Sequence, residues 1–243
     1  MRTFAIFFFL LALPALACST PSIPFIQAPA SPTPEPLTVQ SVDTLSLLAP
    51  AYAVRLQPGE TVPGTRLTYV GRSGDAYEVS IDGQTASKQS GDSFFWSGVI
   101  APGVFANYNL RLTTSLFGGL PVGGPVELIV LFPEPVEVES TEGLDTRFHF
   151  SNLLLDYKIP AGSFVPGTTL IFEGVETQGA GDQGNKLARF NGFNGYPYLA
   201  VGDSLVWSGR LRDNVVVRYN LRTITFDEER IHLIGTGDLW IMN

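Results

Sequence analysis

The sequence predicts an all-β protein, a tandem duplication of a small antiparallel β-sandwich or barrel unit of roughly 90 residues. Three observations predict it: a motif written twice, short alternating runs cut by glycine and proline, and the lack of any long window with a 3.6-residue period. Residues 91–98 read G-D-S-F-F-W-S-G and residues 202–209 read G-D-S-L-V-W-S-G; Y-N-L-R follows each, at Tyr108–Arg111 and Tyr219–Arg222. The offset of 111 residues (92 to 203, 111 to 222) holds as far as Leu128 and Leu239. V-P-G-T recurs at Val62–Thr65 and Val165–Thr168, 103 apart, so the second copy carries 8 more residues between the motifs. Self-similarity at a fixed spacing marks a repeated structural unit.

Taken in order, the first unit shows alternating runs at Tyr52–Leu56, Arg66–Val70, Tyr77–Ile81, Ser93–Ile100, Ala106–Thr114 and Val126–Phe132. Pro58-Gly59 and Pro63-Gly64 break the early runs, and Asp82-Gly83 is a favoured hairpin-turn dipeptide. The second unit repeats the series at Tyr157–Ile159, Thr169–Phe172, Lys186–Phe190, Ser204–Leu211, Val215–Phe226 and Asp238–Met242. The domain organisation read from this is 1–17 leader, 18–38 anchor residue and tether, 39–132 first β domain, 133–145 acidic linker and 146–243 second β domain. Within the linker, P-E-P-V-E-V-E-S-T-E-G at 133–143 reads as solvated; alternatively Val136 and Val138 alternate into an edge strand blunted by glutamates.

Composition narrows the partners. Hydrophobic residues make up 44% and charged residues only 16%, and the formal net charge is −8. An acidic chain without a Lys/Arg run is a poor electrostatic match for nucleic acid or anionic headgroups. With His149 and His232 the only histidines and Cys18 the only cysteine, a zinc site of the usual kind is not expected, and no other cofactor is.

The first residues carry a different signal. Met1-Arg2-Thr3 is a short basic segment, and Phe4–Leu13 is an apolar run too short to span a bilayer but long enough for a signal peptide. Pro14-Ala15-Leu16-Ala17 precedes Cys18, and a lone cysteine makes no internal disulfide. This resembles the leader of bacterial lipoprotein precursors, though Ala15 stands where their motif usually has leucine. The resemblance implies cleavage after Ala17, lipid attachment at Cys18 and an extracytoplasmic, membrane-anchored location. It covers only the first 18 residues. Residues 19–38, rich in Pro, Ser, Thr and Ala, read as an extended spacer.

The repeated motif has a structural reading and a functional one. Side chains alternate along a strand, so Phe94 and Trp96 share one face, as do Leu205 and Trp207. Folding each segment about its midpoint places turns at Ala101-Pro102 and Arg212-Asp213, with Asp92 beside Arg111 and Asp203 beside Arg222. Structurally, each hairpin carries one tryptophan into the core and one Asp–Arg pair at its open end; functionally, Arg111 and Arg222 would hold a ligand carboxylate or sugar. Gly202-Asp203-Ser204-Leu205 also spells the tetrad of the GDSL esterases. No G-x-N-D block follows it, and His232 has no aspartate three residues before it, so Ser204 is not expected to be a nucleophile.

One stretch breaks the symmetry. Residues 190–198 read F-N-G-F-N-G-Y-P-Y, whereas 79–87 of the first unit read V-S-I-D-G-Q-T-A-S. Two Asn-Gly dipeptides demand tight turns. Phe193, Tyr196 and Tyr198, beside Asn194, would then either ride on a surface that stacks sugars or docks a protein, or cap the core. The expectation is a non-enzymatic binding module for polysaccharide or a protein partner. The alternatives are a structural envelope component and an enzyme with unidentified carboxylates.

Overall fold

The two copies of the repeat become two halves of one continuous sheet. The computed structural model describes residues 43–114, 118–178 and 185–243. The leader, Cys18 and the tether lie outside the described residues, as do residues 115–117 and 179–184. The first repeat contributes β1 (Thr44–Leu56), β2 (Leu67–Ser73), β3 (Ala76–Ile81), β4 (Gln84–Lys88), β5 (Ser93–Ala101), β6 (Val104–Leu112) and β7 (Leu120–Leu131). A short β8 (Val136–Glu137) follows. The second repeat contributes β9 (Thr146–Pro160), β10 (Ser163–Phe164), β11 (Ile171–Gln178), β12 (Asn185–Asn191), β13 (Tyr198–Leu199), β14 (Ser204–Arg212), β15 (Val215–Phe226) and β16 (Arg230–Met242).

Nine strands form an antiparallel sheet in the order β5-β6-β7-β1-β9-β16-β15-β14-β8. Two small sheets, β2-β3-β4 and β10-β11-β12-β13, belong one to each repeat. Between large and small sheets lies the core. Phe94, Trp96, Tyr108, Leu110 and Leu128 of the first repeat, and Leu205, Trp207, Tyr219, Leu221 and Leu239 of the second, are all at most 4% exposed. These are the same five positions shifted by 111 residues, so the duplicated sequence is above all a duplicated core. The all-β architecture follows as the sequence predicts.

Several strands run longer than their sequence signals. β7 and β16 pass straight through glycines that read as breaks. A Cβ at Gly124 would collide with the carbonyl of Asn109, and one at Gly235 with that of Asn220. The glycines are therefore sites of close backbone approach, not strand ends. The Asp82-Gly83 turn does form, both residues having positive φ (51° and 85°) and Ile81 pairing with Gln84. The segment after β7 takes the edge-strand alternative: Val136 pairs with Arg210 and Glu137 with Gly209 of β14.

The halves meet through β1 and β9, which pair at Leu48 and Leu154. They also interlock through the repeated V-P-G-T turns. Leu45 of the first repeat lies where a Cβ on Gly167 would be, and Phe148 of the second lies against Gly64. In each turn the threonine hydroxyl donates to the valine carbonyl and accepts from the following leucine amide (Thr65 and Thr168). Each turn is thus closed by its own threonine and covered by the other repeat.

The buried tyrosines show where the repeats differ. Tyr108 Oη donates to the Pro63 carbonyl at 3.2 Å. Tyr219 is equally buried, with its hydroxyl over Gly167 and the Tyr157 hydroxyl as its polar neighbour, but no partner comes within 3.5 Å, too far for a good hydrogen bond. Removing a satisfied hydroxyl costs about 1 kcal/mol, whereas removing an unsatisfied buried one is neutral or stabilising. Tyr108→Phe is therefore expected to lower stability by about 1 kcal/mol and Tyr219→Phe to leave it unchanged or raise it. Urea denaturation of both variants checks this; equal losses would overturn the distinction.

Candidate functional site

The G-D-S motif resolves into structure, with one correction. The β5–β6 and β14–β15 turns fall at Pro102-Gly103 and Asp213-Asn214, one residue beyond the midpoints, because each hairpin carries a bulge near its tip. Arg111 consequently pairs with Ser93 and Arg222 with Ser204. A one-residue slip puts the aspartates on the opposite face from the arginines. Neither expected Asp–Arg ion pair forms. Asp92 Oδ2 instead accepts from the Gln89 amide and Asp203 Oδ2 from the Ala200 amide, both at 2.8 Å. Each closes the tight turn that its preceding glycine, at φ 93°, makes possible. Arg111 donates to the Gly91 carbonyl at 3.1 Å.

Trp96 and Trp207 enter the core as the alternation requires. Each indole lies along its own strand over the glycine two residues on, Gly98 or Gly209, where a Cβ would strike the ring. That explains the terminal glycine of W-S-G. The indole N–H donates to Asp82 Oδ1 in the first repeat and to Thr169 Oγ1 in the second, each at 3.2 Å.

The aromatic segment divides between its two readings. Phe193 is partly buried and packs edge-on against Phe190, ring centroids 5.7 Å apart. It caps the core. Asn194 donates to Glu137 Oε2 of β8 at 2.8 Å, tying the turn to the sheet edge. Tyr196 and Tyr198 reach the surface, Tyr198 half-buried. Tyr196 is 65% exposed, and its ring stands 5.2 Å from that of Tyr198. Both are held at their tips: Tyr196 Oη donates to Gln178 Oε1 and Tyr198 Oη to Glu176 Oε2, each at 3.0 Å. The hydrogen bond to Glu176 also raises the Tyr198 phenol above its ordinary pKa, keeping it a donor.

Arg189 completes the surface, with Nε 2.8 Å from Glu173 and Nη1 3.3 Å from Glu176. It flanks a shallow depression of about 290 Å³ shared with Glu173, Asn191, Phe193 and Tyr198. Sequence reading missed Glu176, Gln178 and Arg189. Arg189 was within reach, because it alternates with the buried Ala188 and Phe190. Arg111 and Arg222 are not part of this surface; they sit on strands of the large sheet.

A second concavity, about 480 Å³, crosses the large sheet where the repeats join. Phe95, Leu48 and Leu154 give it an apolar wall, and Asn107, Glu127 and Asp156 a polar one. Asn107 donates to Glu127 at 2.9 Å and accepts from Ser97 at 2.7 Å, so the polar wall is pre-ordered. No sequence signal could have found it, since the β1–β9 pairing creates it.

His232 lies 2.7 Å from Asp156, while Ser204 is on β14, two strands away. Among the described residues no group of three His, Cys, Asp or Glu could hold a metal ion, and no helix is long and apolar enough to cross a membrane. Comparison with protein-family models, curated proteins and solved structures finds no match.

Proposed function

We propose that this is a lipid-anchored extracytoplasmic binding protein, non-enzymatic, whose Tyr196–Tyr198 surface takes a polysaccharide. The observation that carries the reading is the pair of outward tyrosines held at their hydroxyls by Gln178 and Glu176. Fixed aromatic rings lose little freedom on binding and offer apolar faces to the C–H side of a sugar. The carboxylates, Arg189 and Asn191 around them supply acceptors and donors for its hydroxyls. The leader and Cys18 support the location, and the spacer would carry the domain clear of a membrane.

A glycan-array and peptidoglycan binding screen tests this, with a Tyr196→Ala/Tyr198→Ala variant beside the parent. Phe193 is left intact because it packs against the core. Binding by the parent that weakens at least tenfold in the variant is the expected result; one lost aromatic contact of about 1.4 kcal/mol suffices for that. Binding retained by the variant would remove the site from this surface and transfer it to the groove at the repeat junction. That groove, with its apolar wall of Phe95, Leu48 and Leu154, favours a second reading in which a protein segment docks there. No glycan binding by either protein would overturn the polysaccharide reading.

A further inference from the structure

The large sheet ends differently on its two sides. On one, β14 is covered by β8, with the Val138 N–H donating to the Ser208 carbonyl and Val136 pairing with Arg210. On the other, β5 is the last strand, with no strand beyond it among the described residues. Ser97 and Val99 stand 111 residues before Ser208 and Arg210 and keep the same register, Ser97 opposite Asn107 as Ser208 is opposite Arg218. Their backbone groups therefore point away from β6, and alternation adds those of Phe95. The matching edge in the second repeat holds a strand.

Nothing on β5 blunts its edge. The nine residues S-F-F-W-S-G-V-I-A include no charge and no proline, and the register shifts only at the tip, between Val99 and Ala101. Strands that end the small sheets are shorter or charged: β4 has five residues and closes on Lys88, and β10 and β13 have two each. Even β14, with its cover, carries Arg210 and Arg212. A long, uncharged, uncovered edge with an apolar outer face is a template for pairing with another chain.

We propose that β5 pairs antiparallel with β5 of a second copy of this chain, about a two-fold axis at Ser97, the middle of the strand. In that register the strand is self-complementary. Ser97 meets its own copy, and the half-buried Phe95 meets the partner's Val99, a residue 56% exposed in the single chain. An aromatic ring is thus set against a β-branched side chain twice over, a favourable cross-strand pair. The three outward positions Phe95, Ser97 and Val99 form hydrogen-bonded pairs that exchange about six N–H···O bonds. Because β5 carries no charge, no like charges are opposed along it. Any other two-fold register shortens the overlap. The contact uses the same patch on both copies, so association closes at two and joins two nine-stranded sheets into one.

Sedimentation equilibrium of the full chain carrying Cys18→Ser tests this, and the expected species is a dimer. Val99→Pro removes an N–H that points away from β6, a change an edge strand tolerates, and is expected to weaken the dimer at least tenfold. Val206→Pro, on β14 in the second repeat, is expected to leave it unchanged. Oxidation reads the register independently, whether or not Val99→Pro folds. Ser97→Cys should cross-link to its own copy, because a hydrogen-bonded pair holds its Cα atoms about 5.5 Å apart, within disulfide reach. Val99→Cys should not, since its two copies lie about 13 Å apart along the strands. A monomer at every concentration, a dimer insensitive to Val99→Pro, or one lost in Val206→Pro overturns the proposal. So does cross-linking through Val99→Cys and not through Ser97→Cys.

Discussion

Trp207→Ala is expected to lower the stability of the folded protein by about 3–5 kcal/mol, and Gly209→Ala by about 1–3 kcal/mol. The indole is 3% exposed, packs 6.1 Å from the Tyr219 ring and donates to Thr169. Deleting it leaves a cavity and strands the threonine hydroxyl. Adding a methyl at Gly209 forces the same ring off its strand, because the colliding atoms are the ring itself and that ring is buried. Trp96→Ala and Gly98→Ala are expected to act alike in the first repeat. Both pairs should shift one and the same unfolding transition, since the halves share a sheet and a core and cover each other's V-P-G-T turns. Urea unfolding followed by fluorescence and by circular dichroism decides this. Two separable transitions, with only one moved by each substitution, would sink the shared-core account.

Raising the pH should unfold the protein above about pH 10, and steeply. Burial raises Tyr52 to about 12 and pushes Tyr108, Tyr157 and Tyr219 upward as well, Tyr219 well above its ordinary value. A tyrosine whose pKa is higher folded than unfolded favours the folded state fully below the unfolded pKa of about 10. As the pH climbs past that value, only the unfolded chain releases the proton, and stability falls until the folded pKa is reached. Each such group removes about 1.4 kcal/mol per pH unit. Tyr108 and Tyr219, both fully buried, act in the same direction over the same pH range, so their losses add. Tyrosinate absorbance and circular dichroism recorded through the titration should change together. If all the tyrosines ionised near pH 10 with the fold intact, the packing around Tyr108 and Tyr219 would be refuted.

The candidate site was only half legible in the sequence. The aromatic segment stood out because it breaks the repeat, and Tyr196 is exposed there with Tyr198 half-buried beside it. Phe193 and Asn194, three and four residues beyond Phe190, looked equivalent to them in composition. The chain turns so tightly there that Phe193 faces inward against Phe190 and Asn194 reaches Glu137. The Asp–Arg pairs failed for a more general reason. Midpoint folding assumes an unbroken ladder, and the bulges near Ala101 and Arg212 shift it by one residue, enough to reverse which face each aspartate occupies.

Sequence alone determined the fold class, the duplication and the tryptophan-bearing hairpins. The strands and hairpins depend on residues within about twenty positions of one another, where strand periodicity and turn chemistry act directly, and the duplication is written in the sequence itself. Only the tertiary structure decided that the repeats share a nine-stranded sheet, that Leu45 and Phe148 cross to the opposite V-P-G-T turn, and that a groove opens at their junction. Those contacts join residues about a hundred positions apart, and no local preference encodes which strand meets which. It was decided by which apolar faces remained to be buried once each hairpin had formed.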